Sequence, residues 1–96
     1  MKYAESRVYV LVEIKPGEEH EFADEMSSKA LIKDSETERM DFVHGSFDFV
    51  FMLYGTMMDI VRRIMEMRKS SHVRRTETLI AFEAFPWEEL SGRLDE

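Results

Sequence analysis

The stretch HGSFDFVFMLYG, residues 44–55, decides the fold together with HVRRTETLIAF, residues 72–82. In the first, His44-Gly45-Ser46 reads as a turn, because glycine accepts the positive φ angle that tight turns require. Phe47 to Tyr54 then alternates. Phe47, Phe49, Phe51 and Leu53 share one face, while Asp48, Val50, Met52 and Tyr54 share the other. A period of two with aromatic content is the mark of a strand. Gly55-Thr56 closes it, and the Thr56 hydroxyl is placed to cap a following helix.

That helix carries Met57, Ile60, Val61, Ile64 and Met65 at helical spacing, which predicts a core-facing stripe. Arg68 and Lys69 complement its C-terminal end. The second quoted stretch supplies the last main strand, about Arg74 to Ala84. Upstream, Val8, Val10, Val12 and Ile14 alternate through Arg7–Ile14, another strand. Lys15-Pro16-Gly17 breaks it. Pro16 suits the start of a helix that Glu18, Glu19 and Glu21 favour electrostatically, and that continues to about Lys29. Phe22, Met26 and Ala30 form its inner row. Residues 32–43, with Thr37, Met40, Phe42 and Val43, read as a strand pairing with 47–54 as a hairpin.

The order strand-helix-strand-strand-helix-strand predicts an α+β, ferredoxin-like βαββαβ sandwich. Right-handed crossovers place both helices on one face of a four-stranded antiparallel sheet. If Val8, Val10, Phe47 and Phe49 face the helices, the bare face carries Tyr9, Leu11, Val50, Met52 and Leu79. An apolar patch of that kind marks an interface. The economical solution is a homodimer with facing sheets, an α/β barrel-like pair.

Composition bounds the function. Ninety-six residues make a single domain, 1–96, with a C-terminal extension of about 85–96 that includes Trp87. A chain this short has little core to spare, so self-association helps it. Acidic residues number 20 against 13 basic, a net charge of −7. Nucleic-acid binding needs clustered Lys and Arg. Arg62-Arg63, Arg68-Lys69 and Arg74-Arg75 are instead spread out, as solvated surface or ion-pair partners. Neither a membrane span nor a signal peptide is visible, so a cytoplasmic chain is expected. Cysteine is absent, which excludes disulfides and thiolate metal sites.

The segments VYVLVEIKPGEEHEFADEM, HGSFDFVFMLYG and VRRTETLIAFE resemble the ligand-binding (RAM) domain of the Lrp/AsnC, or feast/famine, regulator family. They occur in the family's order and cover most of Arg7 to Glu83. The family's N-terminal helix-turn-helix has no counterpart here, so the chain looks like a stand-alone sensor domain. The resemblance implies homodimers through facing sheets, joining into octamer-like rings. It also implies a small effector, typically an amino acid, held in a cleft between dimers. On this sequence the matching positions are His44, Gly45, Phe47 and Asp48, with Thr76 and Thr78 opposite. Two departures are a histidine at 44, where the family has a small polar residue, and the Trp-bearing acidic tail. A further implied partner is a full-length Lrp/AsnC regulator, whose assembly and transcriptional output the chain would modulate.

The chemistry of such a site is plain. An amino acid needs an acceptor for its ammonium, which Asp48 offers, and donors for its carboxylate. Backbone N–H groups near Gly45 and the Thr76 or Thr78 hydroxyls offer those. Each residue also has a structural role open to it. Gly45 serves a hairpin turn, Asp48 caps that turn or pairs with Arg74 or Arg75, and Thr76 and Thr78 are good strand residues.

Catalytic signals are sparse. His20, His44 and His72 lack ligand-type spacing, the serines lack a base partner or nucleophile elbow, and no metal or cofactor is expected. The competing reading is a small cofactor-free dimeric oxygenase or isomerase of the same fold, with His44, Tyr54, His72 and Trp87 lining a pocket.

Overall fold

A computed structural model describes residues 6–28 and 37–82. The elements are β1 (Ser6–Ile14), α1 (Glu19–Ser28), β2 (Thr37–Phe42), β3 (Phe49–Gly55), α2 (Met57–Arg68) and β4 (Val73–Ala81). The sheet order is β2-β3-β1-β4, with every neighbouring pair antiparallel. This is the ferredoxin-like βαββαβ sandwich expected from the element order. The expected start of the second strand at residues 32–36, Ala30 of the first helix's inner row, and the extension 85–96 with Trp87 lie outside the described residues.

Alternation in β1 and β3 builds the core. Val8, Val10 and Val12 stand opposite Leu53, Phe51 and Phe49. All six side chains are buried together with Phe22 and Met26 of α1 and Ile60 and Met67 of α2. Both helices therefore cover the same sheet face. The Phe22 ring packs 5.2 Å from Phe49 and edge-on to Phe51 at 6.2 Å, so α1 is seated on the aromatic row of β3. Burying a side chain of this size contributes about 1.5–3 kcal/mol.

Local signals set the element ends. Glu18 N–H donates to the Lys15 carbonyl at 3.0 Å, closing a turn with Pro16 and Gly17 at its centre. Gly17 has φ +84°, the value that a type II turn demands after proline. Pro16 thus belongs to the turn and not to the first helical position, and the helix begins at Glu19. At α2, Thr56 is the N-cap, its Oγ1 accepting from Asp59 N–H at 3.3 Å.

One expectation about α2 is corrected. Met57, Val61 and Met65 are not core residues; they are exposed, as is Met58 at 85%. The buried positions are Ile60 and Met67, with Ile64 packed against the core. Ile60, Ile64 and Met67 form one stripe and Met57, Val61 and Met65 the adjacent one. The helix sits on the sheet by the first and presents the second to solvent.

Candidate functional site

The loop Val43–Asp48 joins β2 to β3 at the end of the sheet where β1 finishes. Val43 N–H donates to the Asp48 carbonyl at 2.9 Å, and Asp48 N–H donates to the Val12 carbonyl at 2.9 Å. Gly45 has φ +137° with open space around its Cα, so its turn role is real and its backbone is approachable. His44 is exposed, its ring edge-on to Phe42 at 5.7 Å.

Asp48 is the anchor of this loop. Its Oδ2 accepts from Ile14 N–H at 2.7 Å. A continuing strand would place residue 47 opposite Ile14. Because the chain turns away at Asp48, its carboxylate supplies the acceptor that the missing strand residue would have provided. The role observed is neither a cap on its own turn nor a pair with Arg74 or Arg75: the carboxylate caps the end of β1.

Phe47 departs from the row of Phe49, Phe51 and Leu53. Its ring lies under the Arg75 guanidinium, 4.5 Å from centroid to Cζ. Arg75 Nε in turn donates to Glu13 Oε1 at 2.7 Å. Glu13 and Arg75 are paired across β1 and β4 on the face that also bears Leu11 and Tyr9. Phe47 therefore belongs with the bare face, and the expectation that it points to the helices is corrected.

Thr76 and Thr78 stand opposite Val12 and Val10, so they lie on the helix side of β4. Thr76 is half-buried and Thr78 exposed. Asp48 and Thr76 flank Val12 from its two neighbouring strands, roughly 10 Å apart by strand spacing. The fold thus brings loop 44–48 and the first half of β4 to one end of the sheet. Within one copy, Phe47 and the threonines lie towards opposite faces. The Phe47–Arg75–Glu13 cluster was missed in the sequence; only the arginine beside Thr76 hinted at it.

The bare face is as expected in composition. Tyr9 is opposite both Met52 and Leu79, and Leu11 is opposite Val50. Tyr9, Leu11, Val50 and Met52 are half-buried, and Leu79 is 48% exposed. At the far end, Arg7 sits over the Tyr54 ring at 5.9 Å. On β2, Asp41 holds the Arg39 guanidinium above its ordinary pKa through their hydrogen bond and their opposite charges.

Of the residues of the enzyme reading, Trp87 lies outside the described residues, and Tyr54 is set at the other end of the sheet from His72. Tyr54 pairs with Arg7 at the start of β1. His72 lies beyond the end of β1, its carbonyl accepting from Lys15 N–H at 2.9 Å and its Nδ1 2.7 Å from Glu18. Arg7 and Ile14 are separated by roughly 23 Å at strand rise. An open apolar depression of about 500 Å³ does exist, walled by Met57, Met58, Val61 and Met65 with Arg62, Glu66 and Lys69. It lies on the outer stripe of α2 and shares no residue with loop 44–48 or β4. Among the described residues, no group of three His, Cys, Asp or Glu side chains gathers for a metal. No described helix is long and apolar enough to cross a membrane. Of the basic residues, Arg62 pairs with Asp59, Lys69 with Glu66 and Arg75 with Glu13, as expected of a solvated surface.

No family model matches the sequence, and no characterised protein matches it in sequence. Solved structures match the fold. FFRP-DM1 superposes with a TM-score of 0.64 at 24% identity, over 80% of this chain and 99% of its own. An AsnC family transcriptional regulator from Agrobacterium tumefaciens gives 0.66 at 13% identity, over 86% of this chain and 54% of its own. The transcriptional regulator NMB0573 from Neisseria meningitidis, solved as a complex with L-Met, gives 0.57 at 16% identity, over 88% and 58%. The chain has the fold of Lrp/AsnC-type proteins. It spans nearly all of FFRP-DM1 and a little over half of each of these two regulators.

Proposed function

We propose that the chain acts as an effector-binding and oligomerisation module of the Lrp/AsnC type, without catalysis of its own. The observation that carries this is the bare sheet face. A row of Tyr9, Leu11, Val50, Met52 and Leu79 is left without a covering layer among the described residues, and a second copy of the same face covers it most simply. The sensor half of the reading is supported by the fold it shares with the L-Met-bound regulator NMB0573. Loop 44–48 also combines an approachable glycine backbone with a fixed carboxylate.

In this reading the effector is an amino acid held in a cleft between subunits. Asp48 Oδ1 takes the ammonium, while backbone N–H groups near Gly45 and the Thr76 or Thr78 hydroxyl of a neighbouring copy take the carboxylate. His44 and Phe47 border the side chain. The opposite orientation of Phe47 and the threonines within one copy favours a site completed by another. A ligand that bridges copies stabilises the assembled form by mass action. The module would then act on transcription by joining a full-length regulator's assembly.

Light scattering coupled to size exclusion, without and with each common amino acid, tests this. The expected result is a dimer that shifts to a larger assembly with one effector, methionine being the first to try. A fixed monomer or a dimer indifferent to all of them would sink the sensor mechanism.

A further inference from the structure

β4 ends the sheet, and its outer side has no strand partner among the described residues. Which of its backbone groups point outward follows from β1. The Val12 carbonyl accepts from Asp48 N–H, and Ile14 N–H donates to the Asp48 carboxylate. Even-numbered residues of β1 therefore address β3, and odd-numbered ones address β4. Their opposite partners Arg75, Glu77 and Leu79 turn their N–H and C=O groups inward. Beyond the register shift that leaves Arg74 unpaired with β1, Thr76, Thr78 and Ile80 turn theirs outward. The exposed edge from Arg75 to Ala81 keeps this spacing and forms a template for another strand.

The side-chain pattern selects the occupant and the register. We propose that β4 pairs antiparallel with β4 of a second copy, about a two-fold axis through Thr76. This register makes Thr76–Thr76 a hydrogen-bonded pair and brings each Thr78 towards Arg74 of the other copy. It also sets Arg75 directly opposite Glu77 of the other copy, twice, on the bare face. Arg75 then lies between Glu13 of its own β1 and Glu77 of its neighbour, a row of alternating charge across the junction. Moving the axis to Glu77 puts two carboxylates face to face, and moving it to Arg75 does the same with two guanidiniums; like charges directly opposite destabilise a strand pair. Moving it to Thr78 leaves Glu77 opposite Leu79. Only the Thr76 axis among these is self-complementary in charge.

This contact uses the strand edge, whereas the association proposed above uses the sheet face, so either can hold without the other. Because the chain has no cysteine, single cysteines report the register directly. In a hydrogen-bonded antiparallel pair the Cα atoms lie about 5.5 Å apart, within reach of a disulfide. At this register the two Glu77 Cα atoms are ~8 Å apart and the two Thr78 Cα atoms ~14 Å, beyond reach. Under mild oxidation Thr76→Cys should convert most of the protein to a covalent dimer, while Glu77→Cys and Thr78→Cys remain largely uncrosslinked. Arg75→Glu should weaken association at least tenfold in sedimentation equilibrium, and adding Glu77→Arg should restore it. A wild-type dimer that Thr76→Cys never crosslinks would overturn the edge pairing and leave the face contact standing. Preferential crosslinking at Glu77 or Thr78 would overturn the register, and a monomeric wild type would overturn both contacts.

Discussion

Asp48 and Ile14, 34 residues apart in the chain, are joined by a 2.7 Å hydrogen bond from the Ile14 backbone N–H to Asp48 Oδ2. The bond ties the loop that opens β3 to the last residue of β1. It gives Asp48 a structural duty besides any contact with a ligand. Removing the acceptor leaves a part-buried N–H without a partner, which costs about 1–3 kcal/mol. Asp48→Ala should therefore lower the urea midpoint by that equivalent, while Asp48→Asn, which keeps an acceptor oxygen, should lose clearly less. If Asp48→Asn also abolishes an amino-acid-dependent shift in assembly while the fold stays intact, the carboxylate's charge has the ligand role proposed for it. Equal stability of Asp48→Ala and wild type would show that the loop is held elsewhere.

The two stripes of α2 make opposite predictions. Met58 and Met65 are exposed, whereas Met67 is fully buried against the sheet. Surface substitutions of this kind stay within about 0.5 kcal/mol. Met58→Lys and Met65→Lys should thus unfold with wild-type midpoints. Met67→Ala removes a core side chain and should cost about 2–5 kcal/mol, enough to depress the thermal midpoint by roughly 8–40 degrees in a domain this size. Circular dichroism melts read both. A large loss in Met65→Lys would show that the outer stripe is covered in solution.

Thr56 gives a cleaner local test. Its hydroxyl oxygen accepts from Asp59 N–H at 3.3 Å, and its own proton is donated to Asp59 Oδ2 at 2.9 Å. Thr56→Ala loses both and should cost about 0.5–2 kcal/mol, while Thr56→Ser should retain most of the stability. Chemical denaturation separates the two. A Thr56→Ser as damaging as Thr56→Ala would point to the γ-methyl group and away from the cap.

The sequence reading succeeded where two faces of an element differ in chemistry. β1 alternates Val8, Val10, Val12 and Ile14 with Tyr9, Leu11 and Glu13, and β3 does the same with its phenylalanines, so period and pairing were readable. α2 was harder because Met57, Val61 and Met65 are as apolar as Ile60, Ile64 and Met67. Two adjacent stripes of equal hydropathy give no internal reason to prefer one, and only the sheet's position decides. The candidate site was legible as a set of segments, since loop 44–48 and β4 do meet at one end of the sheet. Its contacts were not. Asp48 finds Ile14 because β3 stops one step short of it, and Phe47 finds Arg75 because the loop leaves the strand's alternation. Both depend on a bend whose direction no local residue pattern specifies.

Association through the bare face predicts an effect that unfolding does not mimic. Leu11 and Met52 sit at its centre, each half-buried and each beside Tyr9 or its partner on β3. Neither touches the core, which lies on the opposite side of the sheet. Leu11→Glu or Met52→Glu would place a carboxylate where the opposing copy offers apolar surface, and a charge buried without a partner costs several kcal/mol. Dissociation of this contact should become at least a hundredfold easier, seen as a monomer by light scattering at micromolar concentration when the β4 edge is also blocked by Arg75→Glu. Far-ultraviolet circular dichroism should remain that of the wild type, since the helix-side core is untouched. If both variants stay dimeric in that Arg75→Glu background, the bare face is not the interface, and neither proposed contact accounts for self-association.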